Sequence, residues 1–122
     1  MKKIFAMAAL AALLAGCAGR NIDVPVEASG KVLEELAGNY TLKTTVEDSV
    51  RYSTAVVTEI AKGEYQISRV TVYGPVIYGF KLGEHAAVES AELGSGQVTY
   101  QKKIKKTTIR FEKGGALCEL SK

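Results

Sequence analysis

From Asn39 to the end of the chain, apolar residues alternate with polar ones almost without interruption. A period of two sends successive side chains to opposite faces of an extended backbone, so the pattern admits strands and excludes a helical body. Tyr40, Leu42, Thr44 and Val46 form the first phase, closed by a turn at Glu47-Asp48-Ser49. Arg51 to Ile60 carries Tyr52, Val56, Val57 and Ile60 and ends at Ala61-Lys62-Gly63. Glu64 to Tyr73 places Tyr65, Ile67 and Arg69 on one face and Val70 and Val72 on the other. That strand needs either cover on both sides or a bulge. Gly74-Pro75 reads as a turn, Val76 to Leu82 as a strand, and Gly83-Glu84 as the next turn.

The segment from His85 to Leu93 is open to two readings, extended chain or one helical turn, and Gly94-Ser95-Gly96 reads as a loop. Val98, Tyr100, Lys102 and Ile104 share one phase while Ile109 and Phe111 share the other, which demands a turn or bulge near Lys105-Lys106. In the last strand Ala116, Cys118 and Leu120 face one way. Turns recur about every 10 residues, the spacing of an antiparallel meander. The expected fold is therefore all-β, a small barrel or sandwich over residues 31–122, preceded by one short helix. Ser29 is the expected cap of that helix, Val32, Leu33 and Leu36 its apolar face, and Gly38 its stop.

The start of the chain has a different grammar. Lys2 and Lys3 precede a short apolar run from Ile4 to Leu13, followed by Leu14-Ala15-Gly16-Cys17. A run this short cannot span a hydrocarbon core of about 30 Å, which takes roughly 20 residues. It reads as an export signal over residues 1–16. Leu-Ala-Gly-Cys resembles the lipobox of bacterial lipoproteins. The resemblance implies diacylglyceryl attachment and acylation at Cys17, a lipidated tether over residues 17–30, and a membrane as partner. By the same resemblance the non-acidic Ala18 favours the outer membrane. Loss of Lys2 and Lys3 from 16 basic residues leaves a near balance with the 13 acids, which does not fit a nucleic-acid binder. With Cys17 lipidated, Cys118 is the one remaining thiol and no intramolecular disulfide forms.

The passage Leu36-Ala37-Gly38-Asn39-Tyr40-Thr41-Leu42, a short helix running into a Gly-x-Tyr strand, is similar to the entry of a lipocalin-like barrel. With Tyr65-x-Ile67, Gly94-Ser95-Gly96 and Cys118 to Lys122, it resembles small lipocalin-like lipoproteins of Bacteroidota. About 85 residues are too few for a wide calyx, so a largely filled barrel is expected; the resemblance implies an arginine, here Arg110, stacked over Tyr40. A second resemblance, through Gly94-Ser95-Gly96-Gln97-Val98-Thr99-Tyr100, is to lipoproteins that inhibit lysozyme by inserting a loop into its cleft. The chain departs from that pattern in spacing and in lacking a basic residue there.

Catalytic chemistry has little to stand on. His85 is the sole histidine, no Gly-x-Ser-x-Gly elbow occurs, and one histidine with one thiol cannot make a zinc site. The expectation is a non-enzymatic binding or structural module without cofactor or metal. Its alternatives are a hydrolase inhibitor and an accessory subunit of an envelope complex. Two groups are candidate binding residues. Lys102, Lys103, Lys105, Lys106 and Arg110 would face an anionic glycan, a lipid or an envelope protein, or else would guard an exposed sheet edge. Tyr73, Tyr78 and Phe80, interspersed with glycines, would line a groove or fill the core.

Overall fold

The computed structural model describes residues 24–122, and Cys17 and the leader lie outside the described residues. The first elements of the described residues are β1 (Val26–Glu27) and α1 (Lys31–Glu34). Eight further strands follow: β2 (Gly38–Val46), β3 (Ser49–Ala61), β4 (Glu64–Thr71), β5 (Gly74–Leu82), β6 (Ala87–Ser90), β7 (Gly94–Gln101), β8 (Lys106–Lys113) and β9 (Ala116–Ser121). From β2 to β9 each strand pairs antiparallel with the next. The last returns to the first, with Leu42 opposite Leu120 and Thr44 opposite Cys118. The meander thus closes into an eight-stranded barrel, which removes most of the free edge an open sheet would present. No helix among the described residues is long and apolar enough to cross a membrane.

One phase of each strand fills the interior. Tyr40, Leu42, Ala55, Val57, Tyr65, Ile67, Phe80, Val88, Val98, Ile109, Phe111 and Leu120 are all buried. The Phe80 ring stacks on Tyr65 at 5.1 Å and meets Phe111 edge-on at 5.3 Å, geometries that suit the aromatic quadrupole. Leu36, directly after α1, is fully buried, and Val32 and Leu33 pack beside it, so the short helix plugs one end of the barrel.

Several local expectations shift. Gly30, not Ser29, sits at the N-cap of α1 and offers no side-chain bond; Ser29 contributes only its carbonyl, to Val32 N–H at 3.2 Å. Gly38 opens β2 instead of terminating the helix. Val70 and Val72 are neither covered nor accommodated by a bulge in β4; they are 83% and 92% exposed, and the irregularity lies in β3 between Glu59 and Ala61. The turn expected at Gly74-Pro75 falls two residues earlier. Thr71 pairs with Gly74, and the Thr71 hydroxyl accepts from Tyr73 N–H and donates to Gly74 O. Pro75 stands within β5, where the strand pairs with β4 but β6 reaches only Lys81 and Leu82, a place proline tolerates. Both readings of residues 85–93 hold in part, a 3-10 turn at Glu84–Ala86 and then β6.

Gly94-Ser95-Gly96 is the opening of β7 and not a loop. A Cβ on Gly96 would lie 1.5 Å from the Arg110 carbonyl oxygen, and one on Gly94 2.1 Å from that of Glu112. These glycines let the β7 and β8 backbones approach closely.

Candidate functional site

The turns sort the barrel into two ends. At one end lie α1, the β3–β4 and β5–β6 connections, the β7–β8 turn and the C-terminal Lys122. At the other lie the turns β2–β3, β4–β5, β6–β7 and β8–β9. Antiparallel pairing of Val26 with Tyr100 and Glu27 with Thr99, extended by Ala28 N–H to the Val98 carbonyl, runs β1 along β7. Followed backwards, the chain therefore reaches Val24 at the first end, beside the β7–β8 turn.

Lys102, Lys103, Lys105 and Lys106 are exposed on and beside that turn, around Ile104, which is 61% exposed. Lys105 takes a positive φ and its N–H bonds the Lys102 carbonyl. Thr41, Ile104, Lys105, Lys106, Ser121 and Lys122 line a shallow surface concavity of about 330 Å³. Arg110 does not join this cluster. It points outward from the middle of β8, flanked in register by Gln97 and Glu119. Nor does it stack over Tyr40. The cation there is Lys122, whose Nζ sits 5.1 Å from the ring centroid and donates to the carbonyls of Glu35 and Ala37 at 2.7 and 2.8 Å. The Tyr40 hydroxyl donates to the Leu36 carbonyl, and burial raises its pKa above the ordinary tyrosine range.

The three aromatics of the expected groove part company. Tyr73 is 96% exposed at the β4–β5 tip, Phe80 is core, and Tyr78 is half-buried on the barrel's inner face. Segment 94–100 is strand paired on both sides, with Val98 fully buried, so no loop projects there.

Tyr78 leads to a feature that sequence reasoning did not single out. Beyond Ser90 the wall between β5 and β7 is finished by the turn Ala91–Leu93, and a cavity of about 180 Å³ opens inside the second end. Its lining comes from opposite sides of the barrel: Leu42 and Thr44 on β2, Arg69 on β4, Tyr78 on β5, Leu93, and Cys118 on β9. Arg69 shares the inward phase of Tyr65 and Ile67, and its Nε is buried without a hydrogen-bond partner. Burial pushes the Cys118 thiol up to about 11, against a downward pull from Arg69 and a smaller upward push from Glu119. At neutral pH that thiol is protonated and a poor nucleophile. The signal for this site was present in the phase of Arg69 and Cys118, each alternating with core residues.

A wider concavity, about 870 Å³, lies on the outer wall around Lys81, Glu89, Gln97, Arg110 and Glu112. Its balanced charges select no ligand sign. His85 is exposed in the 3-10 turn with Nδ1 4.0 Å from a Glu27 carboxylate oxygen. Among the described residues no three His, Cys, Asp or Glu side chains gather as a metal site. No family model matches this chain, and neither a curated protein nor a solved structure does.

Proposed function

We propose that the protein is a non-enzymatic binding module of the cell envelope, anchored through acyl chains on Cys17 and seated on an anionic lipid surface by its β7–β8 turn. The observation that carries this reading is the shared end: β1 leads back to Val24 beside the exposed Lys102–Lys106 turn. A short tether from Cys17 then brings the lysines to the headgroups. The competing account of these lysines, protection of a sheet edge, loses its premise, because β8 is paired by β7 and β9, and β7 by β8 and by β6 and β1.

Each lysine near an anionic leaflet contributes about 1 kcal/mol, falling off within a Debye length. Four around an exposed isoleucine give a surface that reinforces two or three acyl chains, each buried CH₂ of which adds about 0.8 kcal/mol. Ala18 after Cys17 fits delivery to the outer membrane. Mass spectrometry of protein purified from its native membrane is expected to show a diacylglyceryl-bearing N-terminal cysteine. For the surface contact, full chain carrying Cys17→Ser is mixed with phosphatidylglycerol vesicles at low salt. Lys102→Glu with Lys105→Glu should weaken flotation at least tenfold, and added salt should erase the difference. An isotherm unchanged by the charge reversal rejects the lysine contact while leaving the anchor standing.

A further inference from the structure

We infer that the cavity around Arg69 is a binding site for the carboxylate of a small apolar acid. This deepens the binding-module reading and rests on it, but needs neither the anchor nor the lysine turn. Three observations converge. First, Arg69 carries a buried Nε without a partner, and its guanidinium belongs to none of the ion pairs found among the described residues. A buried donor on a cation is costly to leave without an acceptor, so an anion placed against it relieves that cost. Second, Lys113 and Glu92, also in the lining, carry opposite charges and leave Arg69 as the net cation. Lys113 Nζ donates to the Ala91 carbonyl at 2.9 Å, and a Glu92 carboxylate oxygen accepts from the Ser90 hydroxyl at 3.3 Å. One planar guanidinium faces the space, which matches the single charge and two oxygens of a carboxylate better than a dianionic phosphate.

Third, much of the lining is apolar and the volume small. Leu42, Leu93, Ala116, Leu117 and Tyr78 line the same space as Arg69. About 180 Å³ equals roughly six waters at about 30 Å³ each, below the 300–1,000 Å³ or so of sites for larger ligands. Ile67, Phe111 and Leu120, the next inner positions along β4, β8 and β9, are fully buried, so the cavity does not extend deeper for a long chain. The acid is therefore a short-chain or single-ring monocarboxylate. Thr44 and Tyr78 supply hydroxyls in the same lining.

Benzoate and its neutral isostere benzamide test the charge requirement on the full chain by calorimetry and amide-shift titration. Benzoate is expected to saturate and benzamide to bind at least tenfold more weakly. Arg69→Met should abolish the preference without lowering thermal stability, because it removes a half-buried cation whose buried Nε has no hydrogen-bond partner. Arg69→Lys, which keeps the charge but not the planar fork, is expected to lie between and serves if the methionine variant does not fold. A readout without mutation comes from Cys118: bound benzoate offsets the pull of Arg69 on the thiol, so alkylation at pH 9 should slow severalfold with benzoate and not with benzamide. Equal binding of the two ligands, no saturation by benzoate, or phosphate displacing it at lower concentration overturns the assignment. Vesicle flotation through the lysine turn is unaffected by any of these outcomes, so failure here and failure of the envelope reading are told apart.

Discussion

The same eight strands finish differently at their two ends. At the tether end Leu36, just past α1, drops into the barrel, Val32 and Leu33 pack alongside, and Lys122 ties the carbonyls of Glu35 and Ala37 to the face of Tyr40. At the far end the chain supplies only turns. The inner positions nearest that rim are Thr44, Arg69, Tyr78 and Cys118, all half-buried, where the other end has Leu36 and Tyr40. One plug element is enough to close one mouth. The unplugged mouth is where a polar group can stand inside the barrel, so the tight apolar plug and the interior cation sit at opposite ends of a single small core.

The largest test of that division is a matched pair of truncations. Leu36→Ala empties a fully buried site and should cost about 2–5 kcal/mol, a drop in urea midpoint large enough to threaten folding. Leu93→Ala removes a half-buried side chain that faces the cavity and should cost about 1 kcal/mol or less, since part of its surface is already wet. Equal losses would mean that the far mouth is packed as firmly as the plugged one, and the contrast would fall. Next in size is Gly96→Ala. Its Cβ would collide with the Arg110 backbone, at a cost of about 1–3 kcal/mol. Gly79→Ala, where a Cβ meets only ordinary contact at 3.8 Å, is the control expected to leave the midpoint within about 0.5 kcal/mol.

Those glycines also mark where reading the chain in one dimension stops. Strand phases from Tyr40 to Leu120 were legible because burial on one face imposes a period of two, and the all-β meander follows from them. Gly94 and Gly96 read as a loop because glycine usually marks a turn, yet here it permits close approach of two strands, a long-range fact absent from local sequence. The Gly74-Pro75 signal was overridden for a related reason: β5 has an unladdered stretch that accepts proline. For the candidate sites, the basic run was visible but its geometry was not. Lys102 to Lys106 stay together across one turn, whereas Arg110 goes to the outer wall, because β8 carries it a half-barrel away. The Arg69 cavity needs β2, β4, β5 and β9 brought together, and only the barrel's closure does that.

A smaller effect probes the plugged end. Lys122→Met keeps the aliphatic stem but removes two hydrogen bonds to the carbonyls of Glu35 and Ala37 and the cation over Tyr40. Because the ammonium is solvent-exposed, the loss should be about 1 kcal/mol. Amide exchange of residues 31–36 should quicken while β7 and β8 stay protected, and uniform acceleration throughout the barrel would show that the plug is not a separable unit.

The finest comparison uses pH. Burial pushes the Cys118 thiol from its ordinary value near 9 up to about 11, so the folded state holds its proton more tightly than the unfolded state does. Stability is then flat below pH 9 and falls as pH rises from 9 to 11, because the unfolded chain ionises first. Cys118→Ala should flatten that slope in urea midpoints taken at pH 7, 9 and 10, leaving the further decline expected from Tyr40, whose pKa burial also raises. The cation that opposes this shift is Arg69, from inside the same mouth. Arg69→Met removes the pull, so the thiolate should form at still higher pH and alkylation of Cys118 at pH 9 should slow. Lys105→Met, at the other end of the barrel, removes an equal charge through solvent and should leave the rate unchanged. If both variants slow the thiol alike, net charge governs Cys118, and the far mouth has no electrostatic environment of its own.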